Sequence, residues 1–89
     1  MKIIRVSAIW CMSCLVMRNR YDKIFKEYNI DEVKDLDFDE DHKEVKELNI
    51  GKILPVVIIY KDNQEITRII GEKSKKKLKE IFNTLDEKN

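Results

Sequence analysis

The sequence predicts a single α/β domain in which a four-stranded mixed sheet carries helices on both faces, in the order β-α-β-α-β-β-α. Three observations lead there. Short β-branched runs recur with strand length near residues 3–9, 33–38, 56–60 and 65–70. Between and after them lie stretches whose apolar residues recur at steps of three and four, the helical period. Glycine and proline occur only at Gly51, Gly71 and Pro55, so the breaks between elements are few and their positions informative.

The elements follow in order. Ile3 to Ile9 is apolar on both parities apart from Arg5 and Ser7, which reads as a strand buried on both faces. Cys11 to Tyr28 reads as a helix with the stripe Met17, Tyr21, Ile24, Phe25 and Tyr28, and Asn29 as its stop. Val33 to Phe38 alternates and reads as a second strand. Asp39 to Leu48 is a short helix, with Asp39 or Asp41 as N-cap and Val45 and Leu48 facing inward. Gly51 and Lys52 form a loop. Pro55 should be the first residue of a strand running through Val56-Val57-Ile58-Ile59-Tyr60, because proline cannot donate to a ladder. Lys61 to Gln64 is a turn, and Glu65 to Ile70 returns antiparallel. Ser74 caps a last helix with the stripe Leu78, Ile81, Phe82 and Leu85. The helical connections of the first half are expected to be right-handed crossovers between parallel strands.

Composition narrows the function classes. The chain has 89 residues, 43% apolar and 39% charged, with a formal net charge of +1. That length allows one domain with a modest core. Near-neutral charge argues against a dedicated nucleic-acid binder. No apolar run reaches the roughly 18 residues that span a bilayer. The start Met1-Lys2-Ile3-Ile4-Arg5-Val6 lacks a signal-peptide core, which points to the cytoplasm. The acidic stretch Asp31 to Asp41 and the lysines from Lys73 to Lys79 read as solvated faces, with steering of a partner as the alternative. His42 reads as an exposed helix residue.

The chemistry sits in Trp10-Cys11-Met12-Ser13-Cys14, where a buried strand gives way to a helix. Cysteines at i and i+3 on a first helical turn can close a disulfide. The Cys11 sulfur lies near unpaired amides and the positive end of the helix dipole. Cysteines so placed ionise at pKa values of roughly 3.5–7.5 instead of about 8.5. Cys11 is therefore the expected nucleophile and Cys14, one turn further in, the shielded resolving thiol. Three other readings of the pair stay open. It could be inert core, or half of a zinc site, with His42 as the one supplementary ligand that is not a carboxylate. It could also bind soft Cu(I), as small copper carriers do, although these usually carry Met where Ile9 stands and have a different element order.

Nearly the whole chain, from Lys2 to about Leu85, resembles the thioredoxin superfamily. The resemblance rests on Trp10-Cys11-x-x-Cys14, on Ile53-Leu54-Pro55 heading the apolar strand, and on Ile69-Ile70-Gly71 before Ser74-Lys75-Lys76-Lys77-Leu78. The chain is similar to the trimmed core found in glutaredoxins and small thioredoxin-like proteins, without the extra N-terminal strand and helix of full thioredoxins. The resemblance implies a cis Leu54-Pro55 peptide beside the cysteines, with the Leu54 backbone free to pair with an extended substrate. It implies that Trp10 forms part of an apolar docking surface and that Gly71 keeps that surface open. It also implies a protein thiol–disulfide oxidoreductase serving redox homeostasis. Its redox centre is the Cys11–Cys14 disulfide, with no metal or organic cofactor. Its partners are protein disulfides and a reductase that supplies electrons, and the chain acts as a monomer. A thioredoxin-fold binding module with a vestigial pair is the non-enzymatic alternative.

Three places depart from the family pattern. Met12-Ser13 stands where thioredoxins carry Gly-Pro and glutaredoxins Pro-Tyr. The glutathione-binding motifs of glutaredoxins are absent from the sequence. Thioredoxins also bury an Asp five residues before the active-site Trp, paired with a Lys on the neighbouring strand. Here those places align with Arg5 and Asp35. Two readings stay open: a reversed pair beneath the site, with Arg5 favouring the Cys14 thiolate because a guanidinium does not deprotonate at working pH, or an Arg5 that snorkels to the end of the sheet beside a solvated Asp35.

Overall fold

The computed structural model describes residues 1–28 and 30–87. Its elements are β1 (Lys2–Ser7), α1 (Met12–Glu27), β2 (Glu32–Asp37), α2 (His42–Glu47), β3 (Val56–Lys61), β4 (Gln64–Ile70) and α3 (Lys75–Glu87). The sheet has four strands in the order β2-β1-β3-β4. β1 and β2 run parallel, whereas β3 is antiparallel to both β1 and β4. Only the connection through α1 therefore joins neighbouring parallel strands; the connection through α2 brings β3 in against β1 in the opposite direction.

Alternation along the strands splits the core between the two faces. On one face Ile3, Val57, Ile59 and Ile69 pack under Met17, Tyr21 and Ile24 of α1 and Leu78 and Phe82 of α3. On the other, Val6, Ala8, Leu36, Val56 and Ile58 pack with Val45 of α2 and with Leu54, Cys11 and Cys14. The expected stripes of α1 and α3 are these contacts. The anticipated stop at Asn29 lies outside the described residues.

Boundaries moved where local hydrogen bonds competed with the regular elements. β1 ends at Ser7, not Ile9, because the Cys11 amide turns back to the Ala8 carbonyl and leaves Ile9 85% exposed. α2 is shorter than expected, and neither Asp39 nor Asp41 caps it through a side chain. Asp41 instead accepts the Asp37 amide at 2.8 Å, while Asp37 Oδ1 accepts the amides of Asp39 and Glu40, each at 2.9 Å. These local carboxylate–amide bonds fold residues 37–41 into a turn at the expense of helix. Pro55 precedes the strand that begins at Val56. The β3–β4 hairpin turns on Asp62 and Asn63, both at positive φ (53° and 64°), the twist a two-residue hairpin requires. Ser74 Oγ accepts the Lys77 amide at 3.1 Å, the cap the sequence predicts.

Candidate active site

The chain turns as soon as β1 ends, and this turn builds the site. Cys11 takes the N-cap position of α1 with extended dihedrals, φ −97° and ψ 106°. N-caps are ordinarily oxygen side chains that accept an orphan amide. Here sulfur takes that role, and the Cys14 amide donates to Cys11 Sγ at 3.2 Å. Cys11 and Cys14 form a disulfide with their Cα atoms 5.2 Å apart. On reduction the same amide and the helix N-terminus face the Cys11 sulfur, and both favour its thiolate.

The two cysteines are 8% and 7% exposed, so the difference in shielding expected between them is small. Their surroundings differ more. Cys14 borders a cleft of about 220 Å³, lined also by Ser7, Leu15, Arg18 and Asp37. Leu54, 6% exposed, packs in one cluster with both cysteines. The Leu54–Pro55 peptide is cis. Gly71 adopts φ 81° and donates its amide to the Pro55 carbonyl at 2.9 Å. A Cβ there would sit 3.1 Å from Cγ2 of Ile53. Gly71 thus lets β4 leave the sheet beside the loop that carries Leu54.

Trp10 is 60% exposed yet held on two sides. Its Nε1–H donates to Asp39 Oδ2 at 2.7 Å, and its ring meets Phe38 edge-on with centroids 6.1 Å apart. The sequence reading missed Asp39 and Phe38 as its partners. In the parallel register Ser7 stands opposite Asp37, a 30-residue offset, so the residues just past the two strand ends fall side by side. Ile9, Met12 and Ile53 are exposed as well, at 85%, 73% and 63%, and each is a chain neighbour or next-neighbour of Cys11 or Leu54.

Arg5 and Asp35 come together. The Arg5 side chain is buried and donates Nε to Asp35 Oδ1 at 2.6 Å and Nη2 to Asp35 Oδ2 at 3.2 Å. A third donor, Nη1, reaches Asp22 Oδ1 of α1 at 2.9 Å, a partner the sequence did not suggest. The guanidinium also lies 5.5 Å from the Phe25 ring centroid. Burial pulls the Arg5 pKa down, but the hydrogen bonds and charges of Asp35 and Asp22 outweigh it and hold the value above the ordinary one. The Arg5 hydrogen bond holds Asp35 below the usual carboxylate range against its partial burial. Burial pushes the Tyr21 phenol up, opposed by the Arg5 charge.

Among the described residues no group of three or more His, Cys, Asp or Glu side chains could hold a metal ion. His42 is exposed at the start of α2. No helix among the described residues is long and apolar enough to cross a membrane.

A sequence model of the family described as Thioredoxin matches residues 1–84. The chain belongs to the thioredoxin family. A close cysteine pair in a member of this family supports a thiol oxidoreductase in general. No curated protein sequence matches the chain. Solved structures similar to this thioredoxin-family chain include thioredoxin 1 from the thermophilic eubacterium Thermosipho africanus. That likeness has a TM-score of 0.80 at 25% identity and covers 98% of this chain and 92% of that one. A thioredoxin variant from Halobacterium salinarum gives a TM-score of 0.82 at 15% identity, covering 96% and 74%. The Schistosoma mansoni thioredoxin pre-protein gives 0.78 at 20% identity, covering 93% and 76%. At these last two identities the likeness is one of fold.

Proposed function

We propose that the chain is a protein thiol–disulfide oxidoreductase with Cys11 as nucleophile and Cys14 as resolving thiol. The Cys11 thiolate attacks one sulfur of a substrate disulfide. A Cys11–substrate S–S bond forms, and the substrate's own S–S bond breaks as its second sulfur leaves as thiolate. The Cys14 thiol then loses its proton and attacks Cys11 Sγ. The Cys11–Cys14 disulfide closes, and the first substrate sulfur leaves with the electron pair of the mixed disulfide. Two electrons have passed to the substrate, and both substrate thiolates take up protons according to their pKa values.

The observation that carries this reading is the Cys14 amide held 3.2 Å from Cys11 Sγ at a helix N-cap. The exposed apolar side chains Ile9, Trp10, Met12 and Ile53 support docking of an unfolded or extended protein segment along the Leu54 backbone. The chemistry calls for no metal or organic cofactor. A partner reductase in the cytoplasm restores the dithiol of a monomeric protein.

Insulin-disulfide reduction with dithiothreitol as electron source tests it. The wild-type protein should accelerate precipitation of the insulin B chain and Cys11→Ser should abolish the acceleration, while reduced Cys14→Ser given insulin after dithiothreitol is removed should accumulate a mixed disulfide. Undiminished activity in Cys11→Ser, or a Cys11 pKa no lower than the free-cysteine value of about 8.5, overturns the proposal.

A further inference from the structure

We infer that Arg18 is a positioning residue that sets the ionisation of the resolving thiol, and that the cleft beside Cys14 is the route by which that thiol exchanges its proton with solvent. The inference rests on the proposed role of Cys14 and assigns it a partner.

Arg18 follows Cys14 by four residues on α1, so the two side chains project from one face a single turn apart. Both line the cleft of about 220 Å³ with Ser7 of β1 and Asp37 of β2. A space of that size admits several waters. The other members of the cluster that holds Cys14, including Val6, Leu36, Val45 and Leu54, carry no charge. The charged groups that line the cleft beside Cys14 are Arg18 and Asp37. The Asp37 Oδ1 atom is turned to the amides of Asp39 and Glu40, which answer part of its charge. Arg18 is more loosely held. Its side chain is 51% exposed, and Nη2 lies 4.0 Å from Asp35 Oδ1, an oxygen that Arg5 already holds at 2.6 Å. The Arg5 charge, by contrast, is shared between Asp35 and Asp22. Arg18 is thus the cation that lines the cleft with Cys14.

The step it serves is the deprotonation of Cys14. The S–H proton passes to a water in the cleft and on to solvent, and the thiolate left behind attacks Cys11 Sγ of the mixed disulfide. A cation one helical turn away favours that thiolate over the thiol.

The Cys14 titration is read from thiolate absorbance in a Cys11→Ser background, where Cys14 is the single thiol. Arg18→Met should raise its midpoint by about one pH unit, which approaches a tenfold loss of thiolate well below the midpoint. Arg18→Lys should restore most of the shift, and Asp37→Asn should move the midpoint down. Arg20→Met removes an equal charge from a residue bonded elsewhere, to the Lys73 carbonyl, and should leave the midpoint in place. An unmoved midpoint in Arg18→Met, or an equal shift in Arg20→Met, overturns the inference. Insulin reduction by the wild-type protein separates the two claims. Reduction with an unmoved midpoint removes Arg18 alone, whereas a moved midpoint without reduction removes the functional reading alone.

Discussion

Arg5 and Asp35 stand opposite each other in the parallel ladder of β1 and β2, with Nε of the one 2.6 Å from Oδ1 of the other. A guanidinium in mid-strand, 5% exposed, is costly to desolvate. Two carboxylates and the Phe25 ring offset that cost, and in doing so tie β1 to β2 and to α1. The charge is buried at the root, but both acids are about half exposed, so water screens the pair from outside.

Removing one acid should therefore destabilise the fold moderately. Asp35→Asn leaves Arg5 with Asp22 as its remaining carboxylate and should cost about 1–3 kcal/mol at pH 7, measured by urea unfolding. The sign of the pH dependence follows from Asp35, whose folded pKa lies below its unfolded value. Its contribution is complete above the unfolded carboxylate value of about 3.9 and is lost as pH falls through the folded one. The gap between wild type and Asp35→Asn should narrow in acid. A gap of constant size from neutrality to about pH 3 would show that the pair is not the source.

Gly71→Ala should cost about 1–2 kcal/mol, because φ 81° is a conformation that a side chain resists. The new Cβ also displaces Ile53, which it meets at 3.1 Å. Ile53 adjoins Leu54, so the KM for insulin should rise as well. Wild-type stability in this variant would mean that the backbone relaxes without penalty.

Trp10→Phe keeps an aromatic ring on the surface but loses the N–H that Asp39 accepts. Stability should change little, since the side chain is 60% exposed. The kcat/KM for insulin should fall about fivefold, the equivalent of roughly 1 kcal/mol for one hydrogen bond. The loss should fall on KM, because the bond orients a docking side chain and does not touch the sulfurs. A loss confined to kcat would contradict this.

Phe82 is fully buried and packs against Phe25 and Tyr28, with centroids 6.2 and 5.5 Å away. Phe82→Ala should cost about 3–5 kcal/mol, a large share of a total near 5–15 kcal/mol for a domain of this kind. Thermal unfolding reads it directly, and a loss under about 1 kcal/mol would mean that this face of the sheet is not the main core.

Much of this was legible in the chain, and the legible parts share a range. Periodicity of three and four placed Met17, Tyr21 and Ile24 in the core beneath α1, and Leu78 and Phe82 beneath α3. A serine three residues before Lys77 announced its cap. The cysteine spacing announced the disulfide. Where local signals competed, the reading slipped. The acidic run offered Asp39 or Asp41 as the cap of α2, and the turn-forming bonds of Asp37 and Asp41 took precedence.

By itself the sequence determined the elements, their order and the redox pair, because these depend on residues within a turn or two of one another. Tertiary structure alone decided the direction of β3 against β1, the second carboxylate on Arg5, the clamp of Asp39 on Trp10 and the cleft shared by Cys14, Arg18 and Asp37. The physical reason is register. Residues some 17 to 30 positions apart meet only once strands have paired and a helix has settled on the sheet, and no local spacing encodes that offset.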